Sequence, residues 1–593
     1  MWDSEAMARP KYISTIGAIL LLGIGVAVVV YVPMHARLNR PPRSFGPVSK
    51  RLLSAYPEPV NISPDGGRIL LKSRHLDSFE LHIIEGTSAK ITPLLSSPHS
   101  QFSLTWTPKG DRLLYQEFIP EEGSRGLFQV DVANGTRKKL PLPNSQSSIA
   151  PLRFSPDGSL LAYFVHDRKQ RLLVTDPAAD RPSPLVEWVD ADERSDFSWK
   201  NDQTVSVRLG STPNTIANLH IGDPRQDLIQ VGDGTVFELR WNETGTELAI
   251  TARASGDDTI CLYSYRAGAI AEKVLCRPWD LQRIAWVPGK REVIVHENND
   301  GRFNALKVTF DTGAVMPIFA DDTDREVLRV LADGLLYMER STLSPPRLMR
   351  QQRGHTHTVY ATPFSPLPRY SAPRHVSIPI ETGKLPALLW RADAPGPRKV
   401  ILEVHGGPKL QTKPAWNSFQ DVMLRNGIDV LALNYRGSLG YGKRFEDAGT
   451  VSTFVADTRA AIRYLESREG VALENIFLLG RSFGGAIAVD ATRTLDRPPG
   501  GLVLQSSPLT DARGLARFRN LPLLVFGGGY DQRVRPENNL RILRAELGEH
   551  FADRPSSAFR VFADEGHDYH RTRSWANYYG LVLDMIQHER TFE

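Results

Sequence analysis

Three hydrophobic rhythms succeed one another along the chain. Residues 13–32, ISTIGAILLLGIGVAVVVYV, form an uncharged apolar run, and at 1.5 Å per residue a helix of about twenty residues crosses the roughly 30 Å core of a bilayer. From 52 to 362 short alternating segments are cut by Gly, Pro, Asp and Asn, the period-two pattern of half-buried strands. From 363 to 593 compact apolar runs alternate with amphipathic stretches of helical period, which predicts a mainly parallel sheet wrapped by helices.

The middle section repeats. An apolar or aromatic residue, a tight turn and an alternating strand recur in NISPDGGRILL, LTWTPKGDRLLY, LRFSPDGSLLAY, FSWKNDQTVSV, LRWNETGTELAI, IAWVPGKREVIV and, more loosely, RVLADGLLYM. Anchored on Ile62, Trp106, Phe154, Trp199, Trp241, Trp286 and Leu331, the copies lie ~42–48 residues apart, the four-strand blade period of a β-propeller. The expectation is a seven-bladed propeller over 52–362, against the alternative of an all-β sandwich with accidental spacing. Its one Glu-Glu pair, Glu121-Glu122, sits in the loop-like PEEGSRG. It reads as a solvated loop sooner than as a receptor for a peptide's amino terminus.

The last section carries the candidate chemistry. Strands are expected at 400–404, 428–434, 475–480, 501–505, 522–526 and 559–562, and ligands of such sheets bind at the carboxyl ends of the strands. After the third of these comes Gly480-Arg481-Ser482-Phe483-Gly484-Gly485, a Gly-x-Ser-x-Gly in which the serine sits on a sharp strand-to-helix turn with its hydroxyl thrust outward. A serine hydroxyl needs an imidazole to take its proton and a carboxylate to orient that imidazole. Asp531 follows the penultimate strand and His567 follows the last, the nucleophile–acid–histidine order of α/β-hydrolases. His570 is a rival for the base, and Asp564 and Asp568 are rivals for the acid. Gly406, in His405-Gly406-Gly407-Pro408 after the first strand, and Phe483, first in the helix after the serine, offer amides for an oxyanion hole. The segment 434–442, NYRGSLGYG, reads as a loop brace, and Asp457 as structural.

With these motifs in place, the chain from about residue 55 onward resembles the prolyl oligopeptidase family of serine peptidases. The resemblance rests on SPDG turns in propeller repeats, HGGP at 405–408, NYRGSLGYG at 434–442, GRSFGG at 480–485, the GxxDxRV of 528–534 and EGH at 565–567. It implies a seven-bladed propeller covering an α/β-hydrolase domain over 363–593, Ser482, Asp531 and His567 as the triad, and Arg533 as a binder of the substrate's peptide carbonyl. His405 stands where some members place a tyrosine before the glycines, as in the acylaminoacyl peptidase-like branch. Glu121-Glu122 does not match the acidic pair of dipeptidyl peptidase-like members. Only about fifteen residues separate GLVLQ from PLLVF, where the family usually carries a longer insertion lining its specificity pocket.

Composition and charge then narrow the picture. A net charge of +5 over 593 residues, without a dense Lys/Arg run beyond the N-terminal flank, gives no reason to expect nucleic acid. Residues 1–12 form a short tail, 13–32 a single transmembrane helix and 33–51 a Pro- and Arg-rich linker. The competing signal-peptide reading has a shorter apolar region and a small-residue cleavage site, which is not evident here. Arg9 and Lys11 before the span against Arg37, Arg40 and Arg43 after it leave the positive-inside count nearly balanced, leaning toward a cytoplasmic C-terminal side. Cys261 and Cys276 weigh the other way. They are equidistant from the turn 267–270 between two expected strands, within disulfide reach if the strands pair, and a bridge places the catalytic part outside the cytoplasm; two buried thiols are the alternative. The resulting expectation is a membrane-anchored serine peptidase acting on short peptides without metal or organic cofactor. The alternatives are an esterase using the same triad and an inert binding scaffold.

Overall fold

The computed structural model describes residues 58–587, apart from 75–77, 87–89, 120–121, 123, 144–147, 167–169, 180–181, 193–194, 233, 254–258, 322, 363–370, 519, 549–550 and 552–556. The expected anchoring segment 13–32 and the linker after it lie outside these residues, and no described helix is long and apolar enough to cross a membrane.

Residues 58–361 build seven four-stranded antiparallel sheets, each from four consecutive strands. Six sequence anchors close the first strand of their blade: Ile62, Trp106, Phe154, Trp241, Trp286 and Leu331 are the last residues of Glu58–Ile62, Gln101–Trp106, Ser148–Phe154, Thr235–Trp241, Asp280–Trp286 and Asp324–Leu331, and Trp199 lies two residues before the end of Phe197–Asn201. They sit there because the core lies between blades. One apolar cluster fills each junction, as where Leu70, Leu81 and Ile83 of the first blade meet Trp106, Leu113 and Tyr115 of the second. The ring closes the same way. Ile62, Ile69, Leu71 and Ile84 of the first blade pack on Leu336, Met338, Leu348 and Tyr360 of the seventh. Among the described residues no strand is shared across that seam. Cys261 and Cys276 stand opposite each other in register on the outer strand pair of the fifth blade and form a disulfide.

The C-terminal half is built on an eight-stranded sheet. Its strands are β1 (Arg374–Ile380), β2 (Gly383–Trp390), β3 (Lys399–Val404), β4 (Ile428–Leu433), β5 (Ile476–Arg481), β6 (Gly501–Gln505), β7 (Leu523–Gly528) and β8 (Ala558–Phe562). They run in the order β1-β2-β4-β3-β5-β6-β7-β8. β1 to β2 and β2 to β4 pair antiparallel, and the rest are parallel. The six expected strands are all present; β1 and β2 are additions to them. Helices α1 (Ser418–Arg425) and α6 (Thr572–Gln587) cover one face, where Phe419, Val422, Met423, Tyr578, Val582 and Met585 pack on Ile401, Val430, Phe477 and Val503.

Register decides where the loops emerge. Val404 pairs with Gly480, Gly480 with Leu504, Gln505 with Phe526 and Gly528 with Phe562, so β3, β5, β7 and β8 end along one edge of the sheet. The propeller contacts that edge around its circumference. Arg571 Nη2 donates to the Pro98 carbonyl (2.9 Å) and Thr572 Oγ1 to that of Arg74 (3.1 Å). On another side the Gly440 amide donates to Asp280 (3.1 Å), Asn298 Nδ2 to Gln411 (3.1 Å) and the Trp416 amide to the Ser341 carbonyl (2.7 Å).

Candidate active site

Ser482 lies between β5 and helix α4 (Phe483–Arg493) with φ 49° and ψ −124°, a left-handed backbone that costs a non-glycine residue about 1–3 kcal/mol and is kept only where the surroundings impose it. Here they do. The serine amide donates to the Gln505 carbonyl at 2.8 Å and its own carbonyl accepts from the Gly485 amide at 3.0 Å. The glycines let the turn pass close to its neighbours: a Cβ on Gly484 would stand 2.1 Å from the Val404 carbonyl oxygen and 2.3 Å from that of His405. The helix start and the loop after β3 are thereby in backbone contact.

The three expected residues converge. His567 Nε2 is 3.0 Å from Ser482 Oγ, and His567 Nδ1 is 2.8 Å from Asp531 Oδ2. Asp531 is 3% exposed, and its second oxygen accepts the amides of Arg533 (2.9 Å) and Val534 (2.8 Å). Those two bonds hold the carboxylate toward the ring. The rival acids are engaged elsewhere, Asp564 with Arg573 and Asp568 with Arg481, while burial pushes the pKa of the rival base His570 down to about 4. Glu565, 2% exposed, accepts the His570 and Arg571 amides (both 2.8 Å), and its own carbonyl accepts the Tyr530 amide at 2.8 Å. It ties the histidine loop to the acid loop, a bracing role that its place in an EGH motif did not reveal.

Gly406 is buried, and a Cβ there would lie 3.3 Å from that of Ser482. Neither its amide nor that of Phe483 donates to an acceptor among the described residues. A chain of rings links the two peptides. His405 stacks on Tyr435 (4.4 Å between centroids), Tyr435 meets Phe454 (5.3 Å) and Phe454 meets Phe483 edge-on (5.4 Å). His405 itself points away from the serine. Its Nδ1 donates to the Gly406 carbonyl (2.7 Å) and its Nε2 lies 2.9 Å from Ser438 Oγ, and burial pushes its pKa down to about 4. Its ring is thus a neutral structural peg.

Residues 434–442 and Asp457, which the sequence reads separately as a loop brace and a structural residue, are joined. Asp457 in helix α3 (Val451–Glu469) is fully buried and accepts both the Arg436 amide (2.9 Å) and its guanidinium (3.0 Å from Nε). Arg533 is exposed two residues beyond Asp531. Glu122 is exposed and pairs with Lys139 at 2.9 Å; Glu121 lies outside the described residues.

Comparison with known proteins agrees with this architecture. A family model described as serine aminopeptidase, S33, matches residues 395–519. Dipeptidyl aminopeptidase BIII of Pseudoxanthomonas mexicana is 25% identical over 222 residues, 30% of this chain and 31% of that protein, so the match spans less than a third of the relative's length. Among solved structures, one from a study of two prolyl endopeptidases superimposes with a TM-score of 0.76 at 15% identity, covering 95% of each chain. The acylaminoacyl peptidase of Pyrococcus horikoshii gives 0.66 at 15% identity, covering 91% of this chain and 97% of its own.

Proposed function

We propose that the chain is a serine peptidase of the prolyl oligopeptidase family and that it hydrolyses short peptides through an acyl-enzyme intermediate. The observation that carries the reading is the unbroken series Ser482 Oγ, His567, Asp531, with steps of 3.0 and 2.8 Å. In this mechanism His567 Nε2 takes the serine proton as Oγ attacks the scissile carbonyl, and Asp531 holds the Nδ1 proton and stabilises the imidazolium. The amides of Gly406 and Phe483 receive the oxyanion, each worth roughly 3 kcal/mol of transition-state stabilisation. His567 then passes its proton to the departing amine, and water repeats the sequence to release the acid. Arg533 holds a carbonyl of the bound peptide. The propeller over the strand-end edge admits short or unfolded chains.

A second reading, an esterase for small acyl esters, draws on the short segment 506–522 between β6 and β7, which holds one helical turn, Arg513–Arg517. Hydrolysis of a peptidyl amide and the matching ester separates the two. The peptidase reading expects turnover of both and its loss in Ser482→Ala; ester turnover with an inert amide overturns it.

The anchored topology completes the proposal: residues 13–32 cross the membrane once and the described domains lie outside the cytoplasm. The Cys261–Cys276 bridge supports this side. Alkaline extraction that frees the full chain from membranes, or two titratable thiols on the unfolded chain without reductant, counts against it.

A further inference from the structure

The segment 434–447 braces the Gly406 peptide at its start and docks on the propeller toward its end. Tyr435 Oη donates to the His405 carbonyl at 2.9 Å. That carbonyl shares one planar peptide unit with the Gly406 N–H, so the tyrosine fixes the direction in which the amide points. Ser438 Oγ, 2.9 Å from His405 Nε2, pegs the neighbouring ring. Further along, the Gly440 amide donates to Asp280 Oδ2 at 3.1 Å, and its carbonyl accepts the Asp300 amide at 3.4 Å. Glu446, in the short helix Lys443–Asp447, lies 3.4 Å from Arg253 Nη2.

The propeller side of this junction is set by blade geometry. Arg253 ends the second strand of the fifth blade and Asp280 opens the first strand of the sixth, which brings their side chains to 3.8 Å on the face that meets the C-terminal half. Glu446 also pairs with Lys409, three residues beyond Gly406. Charge therefore alternates from the propeller to the loop after β3, through Asp280, Arg253, Glu446 and Lys409. The first three of these side chains are largely buried, where salt screens ion pairs little. The Leu439 amide, donating to the Leu410 carbonyl at 2.9 Å, ties the two C-terminal segments together between these docking points.

We propose that Asp280 and Arg253 are positioning residues for the reaction: by docking the segment 434–447 they hold the His405–Gly406 peptide with its N–H turned toward the oxyanion. The propeller then takes part in stabilising the transition state as well as in admitting substrate. This inference rests on the peptidase reading above and deepens it, giving that reading's oxyanion donor a support in the other domain.

The test separates oxyanion binding from substrate binding in the full chain. With a peptide aldehyde, Ser482 Oγ bonds to the carbonyl carbon, the serine proton passes to His567, and the former carbonyl oxygen becomes the oxyanion of a hemiacetal; the matching peptide alcohol binds without that bond. Inhibition constants for both, with kcat and KM on a peptidyl amide, are measured for Asp280→Ala, Asp280→Asn, Arg253→Gln and Lys409→Met. Displacing a donor costs less than the roughly 10²–10³-fold of removing one, so Asp280→Ala and Arg253→Gln are expected to lose about tenfold in kcat and in aldehyde affinity. KM and alcohol affinity stay within about twofold of the parent. Asp280→Asn, which keeps an oxygen for the Gly440 amide, retains part of the lost rate. Parent-like kcat and aldehyde affinity in folded propeller variants overturn the inference, and so does an equal loss of aldehyde and alcohol affinity. If those variants do not fold, Lys409→Met, at a half-exposed position, decides by the same two criteria. A parent that binds the aldehyde no more tightly than the alcohol fails the peptidase reading itself, and the inference with it.

Discussion

Replacing Asp531 by Asn changes one atom of the relay and leaves its shape. Asp531 Oδ2 faces His567 Nδ1 at 2.8 Å, while Oδ1 accepts the amides of Arg533 at 2.9 Å and Val534 at 2.8 Å. Asparagine has a single oxygen, for which two amide donors compete with one ring nitrogen. Pointing it at the amides keeps both bonds; turning it to the ring keeps one and sets an NH2 against two N–H groups. At roughly 1 kcal/mol per bond, and about 1–3 kcal/mol for each buried donor left unmet, the first arrangement wins by at least ~2 kcal/mol. The Asn amide then donates to Nδ1, so the ring carries its proton on Nε2, directed at Ser482 Oγ. That tautomer cannot accept the serine proton. The expected result is a fall in kcat on a peptidyl amide of about 10³–10⁴, or roughly 4–5.5 kcal/mol of transition-state stabilisation, with KM moving less than about threefold. The assay is steady-state hydrolysis at pH 7.5 beside a thermal melt. A loss below about tenfold in a variant that melts like the parent refutes the argument.

Three further outcomes follow from the geometry. Gly484→Ala drives a methyl into the Val404 and His405 carbonyls at 2.1 and 2.3 Å; parting the helix start from the loop after β3 is expected to cost about 10²-fold in kcat, and undiminished turnover contradicts it. Asp457→Ala strips the Arg436 guanidinium of its carboxylate, with an expected loss of about 3–5 kcal/mol of stability in urea titration; a loss under about 1 kcal/mol counts against the brace. Burial pushes His296 and His405 down to about 4 from the ordinary 6.5. The unfolded chain therefore binds protons that the folded chain refuses between those values. Stability is whole above pH ~6.5 and falls as pH drops toward ~4, by on the order of 3 kcal/mol per ring; a melting temperature flat from pH 7 to 5 contradicts this.

Much of the fold is written in local pattern because burial there is local in consequence. Each blade anchor lies at or within two residues of the end of a first strand and fills an inter-blade junction, so its apolar character precedes its turn in nearly every copy. β3 to β7 read as compact apolar runs because they are covered on both faces; β4, for instance, is buried at all six positions. β1 escaped because it is an edge strand buried only at alternate positions, with Pro379 within it, and its partner β2 carries Pro386. Both break the apolar continuity that marks the others. The meeting of Ser482, Asp531 and His567 was legible because strand-end motifs come in a fixed chain order, and register then brings distant loops to one edge. The contact of Phe118 with Tyr530 was not, since it joins residues some four hundred positions apart whose strand and loop obey only their own local patterns. The neutral role of His405 was equally hidden, because it depends on Tyr435 and Ser438 arriving from another strand end.

Mass-spectrometric mapping of a fluorophosphonate adduct on the folded full chain tests the central claim most directly, because only an activated serine reacts. The account predicts one adduct per chain, on Ser482, abolished in Ser482→Ala and slowed by orders of magnitude in His567→Ala. A folded parent that remains unlabelled, or that reacts at another serine, contradicts it.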